Sequence, residues 1–195
     1  SVGLTGNVNQ YYTRKGISTH AYAHALVHEN GKRQLLVFDD NGEITAQDVK
    51  SFVECNGGKV TIKNANQIFG HPFISPITLS GSAELTLENG RHECSEATKE
   101  VIKILDGWEG KFTAKNCDLV NIENFGEGIK YDGSSINGDI QLINCRIITG
   151  NSGISISSPS PQTIEVIGTL NTTHDVHINI NLRGGDLIIN PNIET

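Results

Sequence analysis

The hydrophobic positions of this chain alternate in short bursts rather than in helical stripes. Val60-Thr-Ile62-Lys-Asn64, Leu85-Thr-Leu87-Glu-Asn89, Phe112-Thr-Ala114-Lys-Asn116 and Ile140-Gln-Leu142-Ile-Asn144 share one pattern: apolar, any, apolar, any, Asn. Their asparagines lie 25, 27 and 28 residues apart. A second series runs out of phase with the first: Ile77-Thr-Leu79, Ile102-Lys-Ile104, Ile129-Lys-Tyr131, Ile154-Ser-Ile156 and Val176-His-Ile178, spaced 25, 27, 25 and 22 residues. Period-two alternation makes one face of a strand apolar. A fixed period of this length marks one supersecondary unit stacked on copies of itself. The two ladders predict an all-β solenoid with about three short strands per turn, its turns stacked in parallel about 4.8 Å apart. The apolar faces share an interior, and the Thr, Lys, Glu, Gln and Ser residues between them point out.

The four asparagines Asn64, Asn89, Asn116 and Asn144 fit bends between strands. Asn tolerates left-handed backbone and bonds its own main chain, and stacked amides can also donate and accept along a ladder. Gly168 occupies the equivalent place on the next rung, and Asn190 lies about two rungs beyond Asn144. Cys117 and Cys145 follow two of these asparagines and should stack. A leucine-rich repeat would place its asparagine three residues after the last leucine, and the segments between strands lack helical periodicity.

Ahead of the ladders, residues 1–16 read as a polar lead-in. Residues 17–44 read as a small β-meander, with Asn30-Gly31 as a two-residue hairpin turn. Thr45-Ala-Gln-Asp48 resembles a capping box. The helix expected after it, over about 46–55, places Val49, Phe52 and Val53 on one stripe and ends at Asn56-Gly57-Gly58. Such a helix would cover the open end of the solenoid. The expected organisation is therefore 1–44 meander and lead-in, 45–58 capping helix, and 59–195 parallel β-helix.

Composition narrows the classes. The chain has 195 residues with only 6% aromatic and 36% hydrophobic residues, which suits a narrow aliphatic core. Net charge is −7, with Lys and Arg scattered, so no basic stripe points to nucleic acid. No apolar run reaches the length of a membrane span. The four cysteines, Cys55, Cys94, Cys117 and Cys145, lack metal-type spacing and read as free thiols. The absence of methionine suggests a piece of a larger protein. No cofactor or metal is implied. His20, His24 and His28 would share a strand face but lie too far apart to chelate one ion.

The turn, Thr-Ala-x-Asp, amphipathic segment, Asn-Gly-Gly and Val-Thr-Ile series, followed by Phe73-Ile-Ser-Pro-Ile-Thr-Leu-Ser80, resembles the opening of pectate-lyase-like right-handed β-helix proteins. Among these, the Asn-rich rungs, low aromatic content and free cysteines look most like bacteriophage tail spikes. The resemblance spans about residues 40–195. It implies a homotrimeric virion protein that works alongside other tail proteins and attaches to bacterial surface polysaccharide, with or without cleaving it. A polysaccharide hydrolase, lyase or epimerase is the alternative, and a structural spacer or adhesin without catalysis is the third reading.

On that reading glycan would lie along the outer face, and hydrolysis needs two carboxylates. Asp106-Gly107 and Asp132-Gly133 follow the second ladder on adjacent rungs and are the candidate catalytic pair; Asp-Gly is also an ordinary turn signal. Glu109, Glu127 and Asp139 in neighbouring loops are candidate sugar contacts. Trp108, the only tryptophan, is a candidate stacking platform, or else covers a gap between rungs or protomers. A lyase would want an Arg or Lys base beside calcium ligands; Arg146 is available, but no carboxylate cluster accompanies it.

Overall fold

The computed structural model describes residues 16–19, 24–29, 32–37, 43–45, 48–49, 52–134, 137–157, 163–177 and 179–189. It is a parallel β-solenoid of about five turns. The first ladder forms one face, with strands Lys59–Lys63, Glu84–Glu88 and Lys111–Lys115, continued by the first half of Asp139–Thr149. The second ladder forms another: Phe52–Cys55, Ile77–Leu79, Glu100–Ile104, Glu127–Asp132, Ile154–Ser157 and Val176–His177. A third face, with no regular signature in the sequence, is built from Asn66–Phe69, Arg91–Cys94, Asp118–Asn121 and the second half of Asp139–Thr149.

Register follows the alternation. Val60, Leu85, Phe112, Ile140 and Ile164 stack in one inward column, and Ile62, Leu87, Ala114, Leu142 and Val166 in the next. All ten are buried. Where Phe112 enlarges one column, Ala114 shrinks its neighbour on the same rung, so the filled volume per turn stays nearly constant, as close packing requires. Ile77, Ile102, Ile129 and Ile154 do the same on the second face. The third face is less apolar inside. Gln67 and His92 precede Leu119 and Ile147 in its first inward column, which is why apolar alternation does not reveal it.

Each asparagine sits at the bend between the first and third faces. Their φ values are 52°, 53°, 53° and 49° for Asn64, Asn89, Asn116 and Asn144, and Gly168 continues the series at 71°. Asn89 Nδ2 donates to Asn64 Oδ1 at 3.3 Å, and Asn116 Nδ2 to Asn89 Oδ1 at 3.2 Å. All four asparagines are exposed, so this ladder runs along the outside of the coil. The amide bonds join Asn64, Asn89 and Asn116; the left-handed bends go on through Asn144 to Gly168, where a Cβ would overlap Asn144 Oδ1, which accepts the Thr169 N–H at 3.0 Å.

The expected helix over 46–55 is corrected at its end: Phe52–Cys55 is a strand. The local stripe fits a helix, but Val53 and Cys55 find parallel partners in Ile77 and Leu79 and are wholly buried, so tertiary pairing overrides the local pattern. The segment is one more rung of the second ladder. Of the rest of the expected helix only the extended pair Asp48–Val49 is described, and the cap itself lies outside the described residues. His24–Glu29 and Lys32–Val37 pair antiparallel with Glu29 opposite Lys32, whereas Glu43–Thr45 runs parallel to Lys59–Lys63. Asn190 and Ile178 lie outside the described residues.

Candidate functional site

Between the third face and the second, three successive rungs turn a corner with loops of equal length. Phe69, Cys94 and Asn121 align before the corner, and Ser75, Glu100 and Glu127 after it. The intervening segments are Gly70-His-Pro-Phe-Ile74, Ser95-Glu-Ala-Thr-Lys99 and Ile122-Glu-Asn-Phe-Gly126. Equal length puts Phe73, Thr98 and Phe125 in one column. Phe73 is 83% and Phe125 69% exposed, the two most exposed large hydrophobic side chains among the described residues. With one rung between them, the backbone positions of the two phenylalanines are about 10 Å apart along the axis.

The corner is held rigidly. Thr98 and Phe125 have φ of 61° and 58°, a left-handed backbone that is strained for a bulky side chain and persists only where its surroundings impose it. Here the surroundings are specific. Buried Asn121 donates from Nδ2 to the carbonyls of Glu96 and Lys99 at 3.0 and 2.6 Å and accepts the Glu123 N–H at 3.1 Å. Thr98 N–H donates to Asn124 O at 2.9 Å, and Gly126 N–H to Glu123 O at 2.9 Å. Phe73 ends an aromatic series that begins in the core: Phe52 packs edge-on to Phe69, Phe69 stacks on His71, and His71 meets Phe73, with centroids 5.6, 6.4 and 6.0 Å apart.

Beside Thr98 a depression of about 220 Å³ opens along the strand Glu100–Ile104, bordered by Lys99, Glu100, Lys103, Asp106 and Lys130. Glu100 and Glu127 are directly opposed on adjacent rungs. Both are nearly buried, at 3% and 8% exposure. Glu100 Oε1 accepts the Ser75 hydroxyl at 2.9 Å, and Glu127 lies 3.0 Å from Lys130 Nζ.

Compared with protein families, curated proteins and solved structures, the chain matches none.

The residues singled out from sequence fall at several places on the coil. Asp106 is committed to structure: it accepts the Tyr131 hydroxyl at 2.7 Å and the Ser134 N–H at 3.0 Å, tying two rungs together. Asp132 ends the strand Glu127–Asp132, and its side chain lies outside the described residues. Trp108 requires a correction. It is fully buried, its Nε1 donates to Ala83 O at 3.0 Å, and a Cβ at Gly138 would fall 2.3 Å from its ring carbons. No ring face is left for a sugar; an indole N–H that finds a buried carbonyl can sit in the core. Glu109 is exposed at the same corner, and Asp139 is exposed opposite Lys111 on the first face. Glu127 begins the strand that Asp132 ends, so it belongs with Glu100 and Lys130 at the other corner. Arg146 is engaged with Asp118 through two bonds of 2.9 and 2.6 Å.

The phenylalanine column was nonetheless readable in the sequence. Phe73, Thr98 and Phe125 each stand four residues before an isoleucine of the second ladder, Ile77, Ile102 and Ile129.

The four thiols are free and buried. Burial pushes Cys55 up to about 12, and Cys94 and Cys117 up to about 11. Thiolate is the reactive form, so these are core residues rather than nucleophiles. Among the described residues no three His, Cys, Asp or Glu side chains gather as a metal site.

Proposed function

We propose that the chain binds an extended polysaccharide across the Phe73–Thr98–Phe125 corner, as the attachment surface of a tail-spike or fibre-type right-handed β-helix protein. The observation that carries this reading is the pair of exposed phenyl rings, two rungs apart in one column. The apolar face of a pyranose packs on an aromatic ring, and a two-rung spacing suits successive disaccharide units of an extended chain. Isolated exposed apolar residues are ordinary, but two at equivalent positions of the same corner, Phe125 on a strained and hydrogen-bonded backbone, form a patch of the kind that marks an interaction surface. Attachment to a bacterial surface, trimerisation and assembly with other virion proteins extend this reading through the family resemblance.

The test is binding to an array of bacterial capsular and O-chain polysaccharides. The protein should bind a subset, and the Phe73→Ala/Phe125→Ala double variant should bind at least tenfold more weakly with an unchanged melting temperature, since both rings are exposed. Undiminished binding by that variant would overturn the reading.

A second reading has its own observation. Glu100 and Glu127 are stacked carboxylates, and the rung spacing of about 5 Å approaches that of retaining glycosidases. Their burial argues against it. If they cleave, Glu100→Gln should abolish new reducing ends while leaving binding intact; a wild-type protein that releases none rules cleavage out.

A further inference from the structure

Among the described residues, charges on the outer surface of the solenoid alternate in sign on the first face but not on the second. On the first face, neighbouring rungs alternate in sign: Lys59, Glu84, Lys111 and Asp139 form one column, and Lys63, Glu88 and Lys115 another. Lys59 and Glu84 approach to 3.5 Å. Opposite charges opposed across strands attract and like charges repel. On the second face the outer column reads Thr78, Lys103, Lys130 and Ser155, so two ammonium groups are opposed on adjacent rungs. Glu127 neutralises Lys130, but Lys103 has no ion pair among the described residues. This doublet, joined by Lys99, borders the depression beside Thr98. In a protein of net charge −7, three lysines around one depression run against the general field. The two carboxylates on the same rim keep their charge but are oriented by neutral donors, Glu100 by Ser75 and Asp106 by Tyr131 and Ser134, and neither forms an ion pair with Lys103.

We infer that the depression is a subsite for the carboxylate of an acidic sugar, held by Lys103 and Lys99, within a polysaccharide whose neighbouring rings stack on Phe73 and Phe125. This rests on the glycan-binding reading and specifies its ligand as a carboxylated glycan. A bound carboxylate would give Lys103 the counter-charge that Glu127 already gives Lys130. Because the lysines are partly exposed, the attraction is screened by salt, and it contributes to association rate and selectivity.

The experiment is an NMR titration of protein carrying labelled lysine and phenylalanine side chains. The probes are galacturonate oligomers, sialic acid oligomers, neutral malto-oligosaccharides and sulfated dextran, each to tens of millimolar. A carboxylated probe should shift Lys103 and the Phe73 and Phe125 rings, at least tenfold more tightly than the neutral probe. Lys103→Gln should remove that preference, Lys103→Arg should keep it, and raised salt should weaken it. Equal response to neutral sugar with no effect of Lys103→Gln overturns the carboxylate subsite and leaves the glycan reading standing. Response to sulfated dextran alone also overturns it. Shifts at Lys103 that survive Phe73→Ala/Phe125→Ala support the subsite while overturning the aromatic platform. No response to any probe overturns both.

Discussion

At the scale of single residues, the bends rest on backbone conformation before hydrogen bonding. A left-handed residue other than Gly or Asn is disfavoured by about 1–2 kcal/mol, whereas an exposed amide bond contributes about 0.5 kcal/mol. Asn116→Ala should therefore lower stability by about 1–2 kcal/mol, and Asn116→Gly by clearly less, in urea melts. Equal losses would show that the amide ladder, not φ, carries the bend. The sequence pattern already places asparagine at these bends, and their amides lie outside because the bend turns its side chains away from the core. His92 offers a second test. Gln67 Nε2 donates to Pro76 O at 2.8 Å, so Gln67 Oε1 faces His92 Nδ1 at 3.0 Å and Nδ1 carries the proton. Nε2 is then a buried lone pair without a donor. Burial lowers His92 to about 4 from an ordinary 6.5. The unfolded chain takes up the proton first as pH falls, so stability present above pH 6.5 is lost on the way down to about pH 4. Between pH 7.5 and 5 the wild type should lose about 2 kcal/mol more than His92→Leu. Parallel losses in the two proteins would mean that the site protonates freely.

Whole elements are where local pattern and tertiary partner compete. The two apolar ladders were legible because their inward positions repeat without interruption. The third face was not, because Gln67, His92, Asn121 and Thr149 occupy inward positions that hydropathy reads as surface. Phe52–Cys55 misleads in the other direction: four residues cannot distinguish a helical stripe from a rung unless the rung they pair with is known. Trp108 misleads through its company, since a Gly-Trp-Glu-Gly segment looks like an exposed turn. Gly110 instead lets the neighbouring rung close around the ring, since a Cβ there would lie 2.8 Å from its Nε1, while Gly107 serves the turn through its φ of 80°. Trp108→Ala should accordingly lower stability by about 3–5 kcal/mol. Gly138→Ala should be damaging as well, through steric overlap. Thermal melts check both, and glycan affinity measured well below the midpoint should be unaffected by Trp108→Ala. A stable Trp108→Ala protein that had lost binding would restore the indole to the surface.

Across the whole molecule, each turn contacts mainly its neighbours, so stability approximates a sum over turns and interfaces. Amides of 85–87, 112–114 and 140–142, with a turn on either side, should exchange slowest with solvent. Protection should decline toward Phe52–Cys55 at one end and Asn179–Ile189 at the other. A uniform exchange profile would indicate one cooperative block instead. This arrangement separates the frame from the surface. Inward columns and Asn121 set the path of the coil, while the outward side chains of the five-residue corners, such as Phe73, Thr98 and Phe125, are exposed and take no part in the interior. Exchanging Ser95–Lys99 for a copy of Gly70–Ile74 would then extend the aromatic column without repacking the interior. If the corner is the binding surface proposed above, corners of equal length are interchangeable parts: a lineage could rewrite what the surface recognises segment by segment while the scaffold is inherited intact.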